Sequence, residues 1–470
     1  MQGAVGHRSG WRGEARALIA LSGPLVLTNL GQVAIQTTDV LLIGWLGTEA
    51  LAASVLGVNL SFVLLLFSIG VVTATAPMIA QDLGRQRHAV REPRRTVRQG
   101  FWVALLLGVP ASLILWNIAP ILALLRQDPA LIGGAEDYVH AAMWGFVPGL
   151  WFVVLRNFIA SLERPRAGMV IMLVGVSFNA VAAYGLIFGR LGLPALGLRG
   201  AGIAAALTNV FLFVALLGFV LIDRRFRRYY ILGRFWRTDW SRLREIFRIG
   251  LPIGVTLIME VGLFAGSGFL IGAISTTQLA AHQIALQCAA VSFMVPLGLA
   301  QAATVRVGLA VGRSDPAAVL RAGTTALIMG SSFMLAMALV MWSVPRSIVG
   351  LFIDAADPAN RAVVHAAVTF LAVAAMFQIF DGGQVVGAGA LRGLKDTRWP
   401  MLFAAFAYWA VGMVCAVGLG LGAGLGGLGV WFGLAAGLAV AAALMIGRFY
   451  LLQGRIAGGT RRLAASGGLA

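Results

Sequence analysis

The feature that most restricts this chain is a series of apolar runs, each long enough to cross a bilayer. Its 470 residues are 59% hydrophobic and 11% charged, whereas a soluble domain carries about 25% charged residues. A membrane-spanning helix needs about 20 apolar residues. The sequence therefore predicts an all-α polytopic membrane protein. The twelve predicted helices lie near 17–45, 51–81, 99–125, 136–160, 167–189, 200–222, 246–274, 278–311, 322–345, 362–391, 399–420 and 426–450.

Basic residues are concentrated on one side of these predicted helices. Of the 36 Lys and Arg residues, 30 lie in the two tails and in alternate loops, and five lie in the opposite loops. Cytoplasmic loops carry such an excess, so both termini are expected in the cytoplasm. The net charge of +18 comes from these short loops rather than from a basic domain, so no nucleic acid partner is expected.

The two halves of the chain repeat at an offset of 228 residues. The segment SGPLVLTNLGQVAIQTTDVLLIGWLGTEALAA (22–53) matches GLPIGVTLIMEVGLFAGSGFLIGAISTTQLAA (250–281), with Pro24 opposite Pro252. Each half holds an even number of spans, so both halves have the same orientation. We expect two six-helix bundles related by a pseudo-two-fold axis along the membrane normal, an arrangement that favours alternating access.

The repeat and the charge pattern together predict the organisation of the chain. A monomer in the lipid bilayer is expected. The predicted segments are a cytoplasmic N-terminal tail (1–16), an N-terminal six-helix bundle (17–222), a cytoplasmic linker (223–245), a C-terminal six-helix bundle (246–450) and a cytoplasmic C-terminal tail (451–470).

Three acidic residues lie deep inside apolar runs: Asp39, Glu260 and Asp381. A charge at the bilayer centre costs roughly 2.5–3.5 kcal/mol on insertion scales. The repeat places Ser267 opposite Asp39 and Gln32 opposite Glu260, so the acids are not part of the shared scaffold. This asymmetry favours a functional role over the alternative, which is a hydrogen-bonded core residue that holds helices together.

Glu260 and Asp381 are expected at similar depth in the membrane. At 1.5 Å per residue they lie ~21 Å and ~15 Å from the cytoplasmic ends of their helices. Two carboxylates that are close together in a low dielectric resist joint ionisation unless a cation or proton lies between them. Such a pair predicts a cation site for Na+ or H+, the coupling ion of an antiporter, and an organic cation could compete for it.

Several uncharged polar residues also lie within the spans. They are either substrate-cavity residues or interhelical hydrogen-bonding groups, and the sequence leaves both interpretations open. They are Asn179, the pair Gln32 and Gln36, and the pair Gln283 and Gln287.

Two further titratable residues require partners or an interface. Arg306 lies within the eighth apolar run, where a structural ion pair is the favoured interpretation over a functional one. His282 lies just inside a span and is expected at the membrane interface rather than in a site.

Six segments of the sequence are similar to those of a known family. They include TTDVLLIGWLG (37–47), LRNFIASLERPRAGM (155–169), ATVRVGLAVG (303–312) and FDGGQVVGAGALRGLKDT (380–397). With these segments the chain resembles the multidrug and toxic compound extrusion (MATE) transporters, NorM-like bacterial branch. The resemblance implies two six-helix bundles around a central cavity, and export of organic cations in exchange for Na+ or H+.

The resemblance also implies roles for individual residues. Glu260 and Asp381 match the cation-site acids of the C-terminal lobe, and Asp39 matches the acid of the N-terminal lobe, so these three acids are the candidates for cation or proton coupling. Asn179 matches an Asn of the N-terminal cavity. Two positions depart from the pattern. Ala160 stands where many members carry another acid, and Phe377, a substrate-cavity candidate, stands where some carry Tyr beside the cation site. Both departures remove polar groups, so the coupling ion stays open between Na+ and H+.

The predicted function is a secondary active multidrug efflux antiporter of the bacterial inner membrane, with no cofactor. Its substrates are expected to be amphiphilic, often cationic, small molecules. One alternative is a lipid-intermediate flippase, which usually needs a cationic cavity, whereas the deep charges here are mostly acidic. The other is a membrane-embedded lipid-modifying enzyme. It needs a metal-binding acid cluster or a nucleophile–base pair, and the sequence patterns contain neither.

Overall fold

The protein is helical throughout the part of the chain that its structure, a computed structural model, describes. That part is residues 10–86, 89–190, 192–233, 235–354 and 357–466, and after Arg455 it is the backbone alone. Residues 1–9 and 467–470 of the predicted tails lie outside it. Twelve helices within these ranges are long and apolar enough to cross a membrane, which confirms the predicted fold class and number of spans.

We number the spanning helices α1 to α12 in chain order. Their bounds are Trp11–Gly44, Thr48–Arg85, Arg91–Trp116, Pro129–Ser161, Arg166–Phe188, Gly197–Ile222, Trp240–Ile274, Thr276–Gly312, Pro316–Ser343, Pro358–Gly393, Arg398–Gly422 and Gly426–Arg455. Short helices lie between them at Ile118–Leu124, Arg224–Arg227 and Pro345–Val349. Helix α11 contains two π-helical stretches, Ala405–Met413 and Gly418–Gly422.

Several helices begin before their predicted apolar runs. Helix α1 begins at Trp11, α3 at Arg91 and α7 at Trp240, each six to eight residues before the predicted start. Helix α9 begins at Pro316, where the Asp315 carboxylate accepts a hydrogen bond of 2.9 Å from the Ala318 amide and caps the first turn. Hydropathy marks the lipid-facing length of a helix, whereas backbone hydrogen bonding and caps set its true ends.

The chain divides into two compact units. We call Leu27–Leu257 the N-unit, and Ile258–Ala470 together with Met1–Val26 the C-unit. These boundaries differ from the predicted bundles, 17–222 and 246–450, at the first helix of each half. Helix α1 belongs to the C-unit up to Val26, and α7 belongs to the N-unit up to Leu257.

Helix α10 lies at the centre of the C-unit and packs against α8, α9 and α12. Its glycines allow this close packing. A Cβ atom on Gly389 would lie 2.5 Å from the Ala300 carbonyl oxygen, and one on Gly382 would lie 2.6 Å from the Met334 side chain. The Thr304 hydroxyl also donates a hydrogen bond of 2.8 Å to the Gly389 carbonyl. Asp381 therefore lies on a helix that packs against three others of its unit.

Candidate functional site

The N-unit contains a small polar site around Asp39. The side-chain amide of Asn179 donates a hydrogen bond of 3.1 Å from Nδ2 to Asp39 Oδ1, and the same nitrogen lies 3.4 Å from Thr208 Oγ1. Asn179 is completely buried. The structure thus brings together two of the predicted residues, which lie 140 positions apart in the chain.

The helices position these groups through backbone and packing contacts. The Thr208 hydroxyl donates a hydrogen bond of 2.8 Å to the Ala204 carbonyl, which fixes its side chain against α6. Gly31 of α1 lies against Met172 of α5, where a Cβ atom would come within 2.6 Å of the Met172 side chain. This close approach places Asp39, two turns further along α1, opposite Asn179 of α5.

The C-unit contains a second polar site built on Glu260 and Asp381. Gln384 Nε2 donates a hydrogen bond of 3.4 Å to Glu260 Oε1, and Glu260 and Asp381 lie close enough for their charges to interact. Asp381 is 4% exposed. Its Oδ1 atom and the hydroxyl of the fully buried Tyr408 have no hydrogen-bond partner among the described residues.

One basic side chain acts on this second site. Arg392 interacts electrostatically with Glu260 and lies three turns beyond Asp381 on α10. Two carboxylates and one guanidinium leave one excess negative charge when all three are ionised. A charge of that size, buried in a low dielectric, needs a monovalent cation or a proton to balance it.

The other predicted residues lie in different surroundings. Phe377 is 1% exposed and packs against Phe264 and Trp431, with ring centroids 6.0 and 5.7 Å away. The remaining three candidates are exposed side chains: Gln36, Gln283 and Gln287.

Arg306 and His282, the remaining two titratable residues, lie in different surroundings. Arg306 forms an ion pair with Glu14, with its NH2 atom 2.6 Å from Glu14 Oε2, as expected for a structural charge. His282 is fully buried beside Trp431, at a ring separation of 5.4 Å, so it lies within the helix packing, and its expected depth at the membrane interface stays a prediction. Hydropathy and sequence position cannot reveal that α12 covers this side chain.

Sequence reasoning missed three residues of the C-unit site. Gln384 could have been found, because it lies three residues after Asp381 and therefore on the same helix face. Arg392 follows the end of the predicted helix 362–391, so the sequence predicts a cytoplasmic loop there. Tyr408 stands in an apolar run that carries no charged residue to mark a site. Tyr408 lies in a π-helical stretch of α11, a local geometry that occurs often at functional sites.

The acids occur singly or as a pair rather than as a larger cluster. Within the described ranges, no group of three or more His, Cys, Asp or Glu side chains is placed to hold a metal ion. The Glu260–Asp381 pair is thus the part of the described chain that best fits the predicted monovalent cation.

Twelve helices long and apolar enough to span a membrane, with acidic side chains inside the spans of both compact units, define a multi-pass membrane protein. The MatE family model matches residues 24–185 and 252–417. The two matched ranges begin at Pro24 and Pro252, the prolines that the repeat aligns. The chain belongs to the MatE family, which confirms the resemblance found in the sequence.

Individual relatives support the same assignment. The chain is similar to a probable multidrug resistance protein NorM of Mesorhizobium japonicum, at 48% identity over 97% of each chain. It is also similar to a probable multidrug resistance protein NorM of Brucella suis biovar 1, at 46% identity over 93% of this chain and 92% of the relative. Its fold matches that of a MATE family transporter solved in an outward-facing conformation, with a TM-score of 0.85 at 18% identity over 94% of this chain and 96% of the other.

Proposed function

We propose that this protein is a secondary active multidrug efflux antiporter that exports amphiphilic, often cationic, small molecules in exchange for Na+ or H+. Membership of the MatE family and relatives named multidrug resistance protein NorM support efflux of this kind. The observation that carries the coupling mechanism is the pair of the half-buried Glu260 and the buried Asp381 in the C-unit, with one amide donor and one nearby arginine.

The charge balance of this pair supports ion exchange. With Arg392 and both acids ionised, one negative charge is in excess, so one Na+, one proton or one monovalent organic cation neutralises the site. A second cation would leave the buried site with a net positive charge, which is again unfavourable. The coupling ion and the substrate therefore exclude each other, and this competition is the basis of antiport.

The available oxygens suit either coupling ion. Na+ would be bound by the carboxylates of Glu260 and Asp381 with the Tyr408 hydroxyl and the Gln384 amide oxygen nearby. Oxygen atoms are the ligands that hard cations prefer. A proton would instead be shared by the two carboxylates. The Asp381 Oδ1 atom that lacks a partner is the acceptor that either ion would satisfy.

We propose that the N-unit site takes up and releases a proton at Asp39. When Asp39 is ionised it accepts the observed hydrogen bond from Asn179 Nδ2. When Asp39 is protonated its hydroxyl becomes a donor. Rotation of the Asn179 amide would then present Oδ1, which has no partner among the described residues. The same two side chains can thus bond in both protonation states.

The alternatives are less well supported. A lipid flippase must bind an anionic phosphate head group, and the buried carboxylates of both units would repel it. A membrane-embedded enzyme is not favoured, because the family and the relatives are transporters.

We propose a monomer in the bacterial inner membrane with cytoplasmic termini. Single cysteines can be introduced into a chain whose native Cys288 and Cys415 are replaced by serine. A membrane-impermeant maleimide added from outside should label Thr48→Cys and Gly424→Cys, and should spare Arg94→Cys and Lys395→Cys. The opposite labelling pattern contradicts the orientation.

Transport in proteoliposomes tests the function. The purified protein is reconstituted, and efflux of ethidium is followed under an imposed Na+ gradient or an imposed H+ gradient, each applied alone. At least one gradient should drive efflux, and the Asp381→Asn variant should not respond to it. Antiport at this site is contradicted if neither gradient changes the rate of ethidium efflux. It is also contradicted if a gradient accelerates efflux equally in the wild type and in Asp381→Asn.

A further inference from the structure

A buried ion pair fixes the beginning of α1 within the C-unit. Arg306 of α8 contacts Glu14 with both ends of its guanidinium, at 2.7 Å from Nε to Oε1 and 2.6 Å from NH2 to Oε2. Glu14 is only 2% exposed. A two-point contact between a carboxylate and a guanidinium is the most directional ion pair available to a protein, so it fixes both the position and the rotation of α1.

A second ionic contact fixes the beginning of α7 within the N-unit. Arg242 NH2 lies 3.0 Å from Asp82 Oδ2 of α2 and 2.5 Å from Glu92 Oε2 of α3. Asp82 is 4% exposed. Arg95 reinforces the contact, because it binds Glu92 at 2.9 Å and also pairs with Asp239 at the residue before α7.

The internal repeat makes these two contacts equivalent. At the offset of 228 residues, Glu14 aligns with Arg242, and their partners lie on the equivalent helices α8 and α2, one turn apart in register. The packing of the helix segments that follow these contacts along α1 and α7 is equivalent too. Gly298 lies against Val26 in the C-unit, and the aligned residues Gly70 and Gly254 lie against each other in the N-unit.

The charges of the two contacts are inverted. In the C-unit the acid is on the first helix and the base is on α8, whereas in the N-unit the base is on α7 and the acid is on α2. If each first helix docked instead on the second helix of its own half, Glu14 would face Asp82. Arg242 would face Arg306 in the same way. Both alternatives place like charges together in a poorly solvated position, which is strongly unfavourable.

We propose that Glu14 and Arg242 are positioning residues whose opposite charges dictate that each first helix docks on the unit formed by the other half. A repeated scaffold offers similar apolar surfaces at both sites, so packing alone discriminates poorly between them, and the charges supply the discrimination. Both docked helix starts, 11–26 and 240–257, are then required for transport. This last consequence rests on the proposed function, whereas the docking itself does not.

Hydrogen exchange of the purified protein tests the docking without any transport assay. In Glu14→Arg, peptides covering 11–26 should exchange at least about tenfold faster than in the wild type, and peptides covering 240–257 should not change. Arg242→Glu should give the reverse pattern. Arg16→Glu and Arg244→Glu are matched controls, because these aligned residues are exposed on the same helix starts. They should leave exchange at wild-type rates.

One double variant separates charge from packing. Glu14→Arg combined with Arg306→Glu restores an opposite pair and should return exchange over 11–26 to within about threefold of the wild type. If a single variant does not accumulate in the membrane, the restored pair must recover its accumulation.

Wild-type exchange over 11–26 in Glu14→Arg, or no recovery in the Glu14→Arg/Arg306→Glu chain, overturns the docking. Ethidium transport supplies a separate readout. In Glu14→Arg, Vmax should fall with KM unchanged, because neither residue lies in the polar sites, and the restored pair should recover Vmax. Accelerated exchange in the single variants together with a normal Vmax in every variant would overturn only the consequence for transport.

Discussion

The two compact units present different polar sites on one repeated scaffold. The N-unit site has a single acid, Asp39, which is hydrogen-bonded to the buried amide of Asn179. The C-unit site has two acids, Glu260 and Asp381, with a shared amide donor in Gln384 and a nearby arginine. The N-unit site can therefore lose its charge only by taking up one cation or proton. The C-unit site offers two carboxylates between which an ion can be held.

This difference indicates how a repeated scaffold can carry two sites with different chemistry. Helix positions, turns and glycine contacts recur at the 228-residue offset, whereas the carboxylates do not. Their aligned counterparts, Ser267 and Gln32, cannot ionise. The shared scaffold provides two bundles of similar construction. Under the proposed function, the unshared acids assign ion exchange to one unit and a simpler protonation step to the other.

The largest effect is expected in the C-unit site. Asp381→Asn and Glu260→Gln each remove one charge from a pair that must hold a cation, so gradient-driven ethidium efflux should fall by about 100-fold or more, the upper range of ion–substrate coupling. Each variant should keep wild-type abundance in the membrane, because it replaces a costly buried acid by a neutral group of the same shape. Efflux above about a tenth of the wild-type rate in both variants would remove this site from the mechanism.

The N-unit acid should have a large but separable effect. Asp39→Asn should abolish drug resistance of cells while protein abundance stays normal, because the N-unit site can then no longer change its charge. The variant should still bind the coupling ion at the C-unit site. Glu49→Gln, at an exposed acid near the start of α2, is the control and should keep resistance. Normal resistance in Asp39→Asn would leave Asp39 with a structural role alone.

A smaller effect is expected from the amide donor. Gln384→Leu removes the hydrogen bond to Glu260, and a hydrogen bond to a charged group contributes about 1.5–3 kcal/mol. The apparent affinity for the coupling ion should weaken by roughly tenfold, with maximal efflux little changed. Gln384→Glu keeps the length but adds a third acid, and it should impair efflux more severely. Equal ion affinity in Gln384→Leu and the wild type would show that this contact is incidental.

The smallest effect on transport is expected outside both sites. Burial alone would raise the pKa of Asp239, but hydrogen bonds from Arg95 and the Arg242 amide outweigh it and hold that pKa below its usual value. The stability contributed by this contact is complete above the unfolded-state pKa of about 3.9 and is lost only as the pH falls through the lower folded value. Between pH 5 and 8 it does not titrate.

The pH profile of efflux between about pH 5 and 8 should consequently be unchanged in Asp239→Asn. Its thermal stability should drop slightly, because one partner of Arg95 loses its charge. The Asp39→Asn profile should differ in shape from that of the wild type over the same range. A shifted profile in Asp239→Asn would show that the contact between Asp239 and Arg95, rather than the intramembrane acids, sets the pH response.

The sequence predicts those features that depend on the order of residues along the chain alone. Apolar run length and basic loops specify twelve helices, and isolated acids in apolar runs identify Asp39, Glu260 and Asp381 without an alignment. The pairing of Asp39 with Asn179 and the part that Tyr408 takes in the C-unit site depend on helix packing, which no periodicity encodes. The sequence also gives no sign that Glu14, which lies in the predicted N-terminal tail, is the ion-pair partner that Arg306 requires. Their connection spans 292 residues.

Direct binding of the coupling ion to purified protein tests the central claim most directly. Calorimetry can measure Na+ binding, and proton release or uptake on substrate addition can be followed in weak buffer. The account predicts one monovalent cation or one proton bound per protein at the C-unit site, lost in both Glu260→Gln and Asp381→Asn and retained in Asp39→Asn. If Glu260→Gln and Asp381→Asn each bind Na+ and H+ as the wild type does, the shared site does not exist.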